Sequence, residues 1–289
     1  MLTEIYYFSG TGNSLAVARD LAAKLKATLI PIAAILSEDS IPIDPDVAGI
    51  VFPVYHSGLP FILRDFIEKT RFRAETYVFC VCTYGASGPG AAVRHLRASI
   101  RPHGGNLSAG YAVKMPYNYI TSAGTLLEVS FEDRLKMYDA WVARKGDIVQ
   151  AVKMRKKGPF ETGPRARGTT TSDGVPIPLG PQEAGASSPS GLAGETRRVI
   201  WRKLPLMDGH FFRDDQCINC GICVEICPVG NIDIGQDGPV WLHDCEQCFA
   251  CLQWCPNGSL QFGFNTEGGK RYHHPDVVIS DMIGQRKQV

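Results

Sequence analysis

Twelve residues occur twice in this chain with one cysteine spacing, and that repeat limits what the C-terminal third can become. Cys217-Ile218-Asn219-Cys220-Gly221-Ile222-Cys223-Val224-Glu225-Ile226-Cys227-Pro228 returns 28 positions later as Cys245-Glu246-Gln247-Cys248-Phe249-Ala250-Cys251-Leu252-Gln253-Trp254-Cys255-Pro256. Both copies read C-x2-C-x2-C-x3-C-P. Thiolates are soft ligands, and four of them hold each cubane iron–sulfur cluster. Zinc is the alternative, but a zinc site ordinarily takes two CxxC pairs across a longer loop. It has no use for a third cysteine at x2 and a fourth before proline, twice over. Two 4Fe–4S clusters are therefore expected, and clusters held side by side suit electron transfer better than a purely structural role. Each copy runs into a β-prone tail, Ile232-Asp233-Ile234 and Leu260-Gln261-Phe262.

Throughout this segment the chain resembles bacterial two-cluster ferredoxins. In that family the fourth cysteine of each copy serves the other copy's cluster. The resemblance implies one set of Cys217, Cys220, Cys223 and Cys255, and a second of Cys245, Cys248, Cys251 and Cys227. Such cross-ligation would tie the copies into one small α+β domain.

The first 120 residues alternate strand and helix patterns. Ile5 to Phe8, Thr28 to Ile32, Ala48 to Val54, Tyr77 to Cys82 and Ala109 to Met115 read as strands. Asn13 to Leu25 has apolar residues at helical spacing, as do the segment around Phe61 to Ile67 and Ala91 to Ile100. Units of this size imply a doubly wound, five-stranded parallel sheet covered by helices on both faces. A helix from about Phe131 to Lys157 closes the domain. Cys80 and Cys82 alternate on the fourth strand and read as core residues rather than ligands.

Between the first strand and the first helix lies Phe8-Ser9-Gly10-Thr11-Gly12-Asn13-Ser14. Hydroxyls and glycine amides at a helix N-terminus make an anion site. The Walker lysine is missing, and Leu15 stands where the dinucleotide fingerprint needs its third glycine. A terminal phosphate monoester suits the loop, although Ser, Thr and Asn also serve as plain helix caps. With this loop the chain resembles flavodoxins. The resemblance implies FMN, with Ser9, Thr11, Gly12, Asn13 and Ser14 around its phosphate. Two further loops would hold the ring: Pro53, Val54, Tyr55, Ser57 and Gly58 after the third strand, and Thr83, Tyr84, Gly85 and Gly88 after the fourth. Tyr55 and Tyr84 offer faces for a flavin, and all these loops follow strand C-termini, where doubly wound sheets bind ligands. His56 either bonds the flavin or faces solvent.

The whole chain resembles the flavodoxin–ferredoxin fusion family of anaerobic bacteria and archaea. Met115-Pro116-Tyr117-Asn118-Tyr119 and Arg271-Tyr272-His273-His274-Pro275 belong to that likeness. The first either edges the flavin site or forms a simple turn; the second is either packed on the body or a free end. The expected layout is a flavodoxin-like FMN domain over 1–157 and a flexible Pro/Gly-rich linker over 158–200. A ferredoxin domain over 201–265 and a C-terminal tail over 266–289 complete it. The resemblance implies electron transfer between two 4Fe–4S clusters, FMN and redox partner proteins, either ferredoxin-type donors or acceptor oxidoreductases. The alternative is an FMN-dependent reductase of a small molecule, fed by the clusters.

Charge is uneven. Residues 206–289 carry five Lys or Arg against eleven Asp or Glu, while 1–205 carry 25 against 18. An acidic C-terminal part suits a basic patch on a partner. No run of about 18 apolar residues is present, so membrane insertion is not expected, and nothing points to nucleic acid. Met1-Leu2-Thr3-Glu4-Ile5 reads as the start of a strand rather than a secretion signal, and a cytoplasmic location is expected.

Overall fold

A computed structural model describes residues 1–85, 88–117, 128–163, 205–263 and 266–286. The N-terminal unit runs β1 (Thr3–Tyr7), α1 (Asn13–Leu25), β2 (Thr28–Pro31), α2 (Ile32–Ile35), β3 (Ile41–Ile43) and β4 (Val47–Pro53). It continues with α3 (Phe61–Lys69), β5 (Thr70–Phe72), β6 (Tyr77–Tyr84), α4 (Ala92–Ile100), β7 (Leu107–Lys114) and α5 (Phe131–Lys153). Five of these strands form one parallel sheet in the order β2-β1-β4-β6-β7. Counted among themselves that order is 2-1-3-4-5, the flavodoxin-like doubly wound arrangement.

The inner strands β4 and β6 are buried along almost their whole length. Helices cover both faces, so their sequences are continuous apolar runs rather than alternations. Cys80 and Cys82 are wholly buried there, as core residues. β3 and β5 form a separate parallel pair, Ile41 opposite Thr70. Neither is marked in the sequence, because three residues carry little periodicity and no repeat flags them as it flags the tails of the cysteine copies.

α5 starts at a real cap, with the Ser130 hydroxyl accepting from the Asp133 amide at 3.1 Å and Glu132 and Asp133 in the first turn. It ends at Lys153, four residues short of the expected Lys157. Residues 158–163 then run beside β7. The Gly158 amide donates to Ser108 O, Gly110 N to Pro159 O, and Glu161 N to Gly110 O. The Glu161 carboxylate accepts from Ala112 N and pairs with Arg144. This stretch shields the sheet edge. The segment expected to be a flexible linker from 158 thus begins as an ordered edge cover, because Gly158, Pro159, Glu161 and Gly163 find backbone partners on β7 and Gly90. Its remainder, 164–200, lies outside the described residues.

The C-terminal unit contains β8 (Phe211–Arg213), α6 (Ile222–Ile226), β9 (Ile232–Gly235), β10 (Gly238–Trp241), α7 (Ala250–Gln253) and β11 (Leu260–Phe262). β9 pairs antiparallel with β10, and β8 with β11. Both tails of the cysteine repeat are therefore strands. Phe211 stacks on Trp241 and meets Phe262 edge-on, in a small core with Leu252 and Ile232. Near the C-terminus lies α8 (Ile279–Ile283), followed by a 3-10 turn over Gly284–Arg286. Among the described residues no helix is long and apolar enough to cross a membrane.

Candidate functional site

The two cysteine loops have the same backbone. Asn219 and Gly221 take positive φ (52° and 78°), and Gln247 and Phe249 take the same positions in the second copy (both 55°). Left-handed residues on either side of the middle cysteine turn successive amides inward, the concave arrangement that receives anions and iron–sulfur groups. Two amides already point at sulfur. Gln247 N donates to Cys245 Sγ at 3.3 Å and Asn231 N to Cys227 Sγ at 3.2 Å.

The loops do not close on their own fourth cysteines. One pocket is lined by Cys217, Cys220 and Cys223 together with Cys255 from the second copy. Burial pushes the Cys223 thiol up to about 11, with Cys220 and Cys255 adding to the effect. In the second set, burial holds Cys248 well above the ordinary thiol value, with Cys227 and Cys245 beside it. Cys251 is raised in the same way, among Cys248, Cys245 and Cys227. Buried thiols in fours ionise readily only where a cationic centre receives them. Among the described residues no three His, Cys, Asp or Glu side chains are drawn close enough to hold one metal ion.

The rings differ in setting. Cys220 is exposed, whereas Cys248 and Cys251 are buried. What covers the second ring is the N-terminal unit. A Cβ on Gly10 would stand 2.7 Å from Cys248 O and 2.7 Å from Tyr55 Oη, so only glycine permits this approach. Trp254 Nε1 donates to Gly10 O at 3.2 Å. Glu246, between the ring cysteines, sends its carboxylate to the Ile62 amide at the start of α3. It is a helix cap supplied by another unit, since Pro60 at that end offers no side-chain cap. Burial raises the Glu246 carboxyl well above its usual range, and the α3 amides oppose that rise.

The C-terminal segment straps the same seam. Gln285 holds both backbone groups of Ser9, accepting from its N–H at 3.0 Å and donating to its carbonyl at 3.1 Å. His274 N donates to Thr11 O at 2.9 Å. The Tyr272 hydroxyl donates to Asn13 Oδ1 at 2.6 Å, while Tyr272 N donates to Gln253 Oε1 at 2.8 Å. His273 stacks on Trp254. The 271–275 segment is therefore packed on the body.

The phosphate-loop residues are largely engaged within the protein. Ser9 Oγ accepts from Gly12 N at 3.1 Å, Ser14 Oγ lies 2.8 Å from Thr83 Oγ1, and Asn13 Nδ2 donates to Pro116 O at 2.7 Å. An anion here would draw on the first-turn amides of α1, which have no helical partners. The helix fits that use: Gly12 at its N-cap supplies no side-chain cap and no acid sits in its first turn. In the ring loops, Tyr55 and Gly58 close a tight turn by paired backbone bonds, with Ser57 O accepting from Ala91 N. Tyr55 reaches the seam, edge-on to Phe8. Pro53 ends β4 and Val54 follows it, where Val54 N donates to Thr83 O at 2.8 Å. Gly85 is covered by Tyr117, and beside Gly88 a Cβ would meet nothing. Tyr84 and Tyr117 line a cleft of about 720 Å³ with Lys114, Lys136, Arg144 and Trp141. Ala86, Ser87, Asn118 and Tyr119 lie outside the described residues. Gly10, Glu246 and Trp254 lie inside the quoted motifs and Gln285 outside any, but no motif revealed the contacts they make, because each acts on a residue far away in the chain.

Residues 216–260 match the family model of the 4Fe-4S dicluster domain. That match agrees with the paired cysteine rings and makes the C-terminal unit an iron–sulfur domain. No curated protein matches the chain. Among solved structures, similar ones include a flavodoxin from the domain Archaea (15% identity, 53% of this chain and 99% of that one, TM-score 0.32). Others are a flavodoxin from Streptococcus pneumonia TIGR4 (18%, 50% and 99%, 0.31) and an azoreductase from Bacillus anthracis str. Sterne (11%, 52% and 99%, 0.35). At these scores the flavodoxin-like assignment rests on the chain's own strand order.

Proposed function

We propose that the chain is an electron-transfer protein that holds two 4Fe–4S clusters and FMN and exchanges electrons with redox partner proteins. The observation that carries this reading is the pairing of cysteines across the two copies, with one ring seated against the phosphate loop. When bound, each cluster handles single electrons and the flavin one or two. The chain's own residues do the rest. Eight thiolates fix the clusters, with Cys217, Cys220, Cys223 and Cys255 in one set and Cys245, Cys248, Cys251 and Cys227 in the other. Inward amides such as Gln247 N and Asn231 N stabilise charge on sulfur. The N-terminus of α1 and the Thr11 hydroxyl hold the phosphate end of FMN, and the 53–58 and 83–88 loops flank its ring. Trp254, Tyr55 and the strap exclude water from the seam.

Anaerobic reconstitution should yield about eight iron and eight sulfide per chain. A protein that takes up only zinc would end the cluster reading. Flavin released on denaturation should be FMN; FAD, or none after incubation with excess FMN, would remove the flavin half.

A second reading, an FMN-dependent reductase of a small molecule, is favoured by the cleft at Tyr84 and Tyr117, which is roomy and carries Lys114, Lys136 and Arg144 beside Trp141. Turnover of a small acceptor with no partner protein present would select it.

A further inference from the structure

We propose that the ring of Cys217, Cys220, Cys223 and Cys255 is the port at which a protein partner exchanges electrons, and that this partner bears basic residues around its own redox centre. The proposal rests on the iron–sulfur reading above. The other ring is closed to a partner. Cys248 and Cys251 retain only 7% and 8% exposure. Gly10 and Tyr55 stand over Cys248, Glu246 is plugged into α3, and the strap lies along the same seam. The outer ring opens to solvent at Cys220. Its pocket is rimmed by Ile218, Ile234 and Pro239, and the two isoleucines are 65% and 42% exposed. Exposed isoleucines around a redox pocket form the apolar centre that a contact surface needs.

Charge selects the partner. Over 205–263 there are eight acidic residues and one Lys or Arg, Arg213. Arg213 Nε donates to the Asp237 carbonyl, so that guanidinium is turned into the β9–β10 hairpin. Asp215, Asp233 and Asp237 are exposed, each within two residues in sequence of a residue that lines the pocket (Cys217, Ile234 and Pro239). A bound cluster with four thiolates adds negative charge to the same place. An apolar centre with an acidic surround steers basic surfaces and repels acidic ones. Each exchange moves one electron between the partner's centre and the outer cluster, with no bond made or broken and no proton transferred.

The test uses the full chain, reconstituted anaerobically and photoreduced, then mixed in a stopped-flow cell with oxidised cytochrome c, a basic one-electron acceptor. Asp233→Lys/Asp237→Lys should slow the reaction roughly tenfold at about 20 mM salt, and the gap should close near 0.5 M. Glu75→Lys, on an exposed turn of the N-terminal unit, should leave the rate unchanged. Equal rates for the double variant and the wild type, or equal slowing by Glu75→Lys, would overturn the port. Iron and sulfide are assayed on the same samples. Missing iron would strike the iron–sulfur reading itself, whereas full iron with an unchanged rate would strike the port alone.

Discussion

The two cysteine loops share a spacing and a backbone, yet one faces solvent and the other faces a second domain. The first holds Asn219 and Gly221 at its left-handed positions, the second Gln247 and Phe249. Between their cysteines the first places Ile218, which is exposed, and the second places Glu246, which is buried in the N-terminus of α3. A motif sets which atoms a cofactor can meet. The residues between the ligands set what the cofactor can reach, because they decide which surface each loop docks on.

The comparison is broken most sharply by exchanging ligands. Cys227→Ser should remove the inner cluster and Cys255→Ser the outer one, each taking about four iron per chain. The cluster left by Cys255→Ser should resist chelators, and the one left by Cys227→Ser should bleach quickly. The reverse pattern, read by absorbance during chelation, would refute the cross-pairing.

Widening the seam comes next. Gly10→Val would press a side chain against the Cys248 carbonyl, which is backbone and cannot rotate away. A loss of about 1–3 kcal/mol is expected in urea unfolding, while the same change at Gly146, a position inside α5 where a Cβ meets nothing, should cost no stability, since valine is the better helix former.

Glu246→Ala removes the cap of α3 and should cost about 1–2 kcal/mol. Hydrogen exchange should rise first at the Phe61 and Ile62 amides; unchanged protection there would mean the cap is not used in solution.

The smallest effect is the pH response of the strap. Arg19 bonds Asp281 and holds its carboxyl below the usual value, with an amide bond from Val278 helping. A depressed folded value means the pair stabilises above the unfolded pKa of about 3.9 and loses that contribution as pH falls through the folded value. Strap protection should fade below about pH 4 in the wild type, and Arg19→Ala should flatten that dependence. An equal fade in the variant would assign it to another group.

Much of the sheet was legible because inner parallel strands are long apolar runs. β4 and β6 fall within a residue or two of their expected positions, and α1 matches residue for residue. β3 and β5 were not legible, being three residues each with no repeat to mark them, unlike the equally short Leu260–Phe262. The ordered stretch at 158–163 was hidden as well, since its partners are backbone atoms of β7 and Gly90 that composition does not mark. The phosphate loop was visible as a pattern, but not that Asn13 would be engaged by Tyr272 and Pro116.

The sequence alone determined the chemistry: eight cysteines in two copies, and a hydroxyl-rich loop opening a helix. Ligand spacing is local, and a tight loop brings neighbouring thiols together wherever it sits. Only the tertiary structure decided that the two copies are unequal. That inequality comes from contacts between residues as much as 276 positions apart, such as Gln285 on Ser9 and Trp254 on Gly10. No local pattern encodes such contacts, because they depend on how two finished surfaces fit.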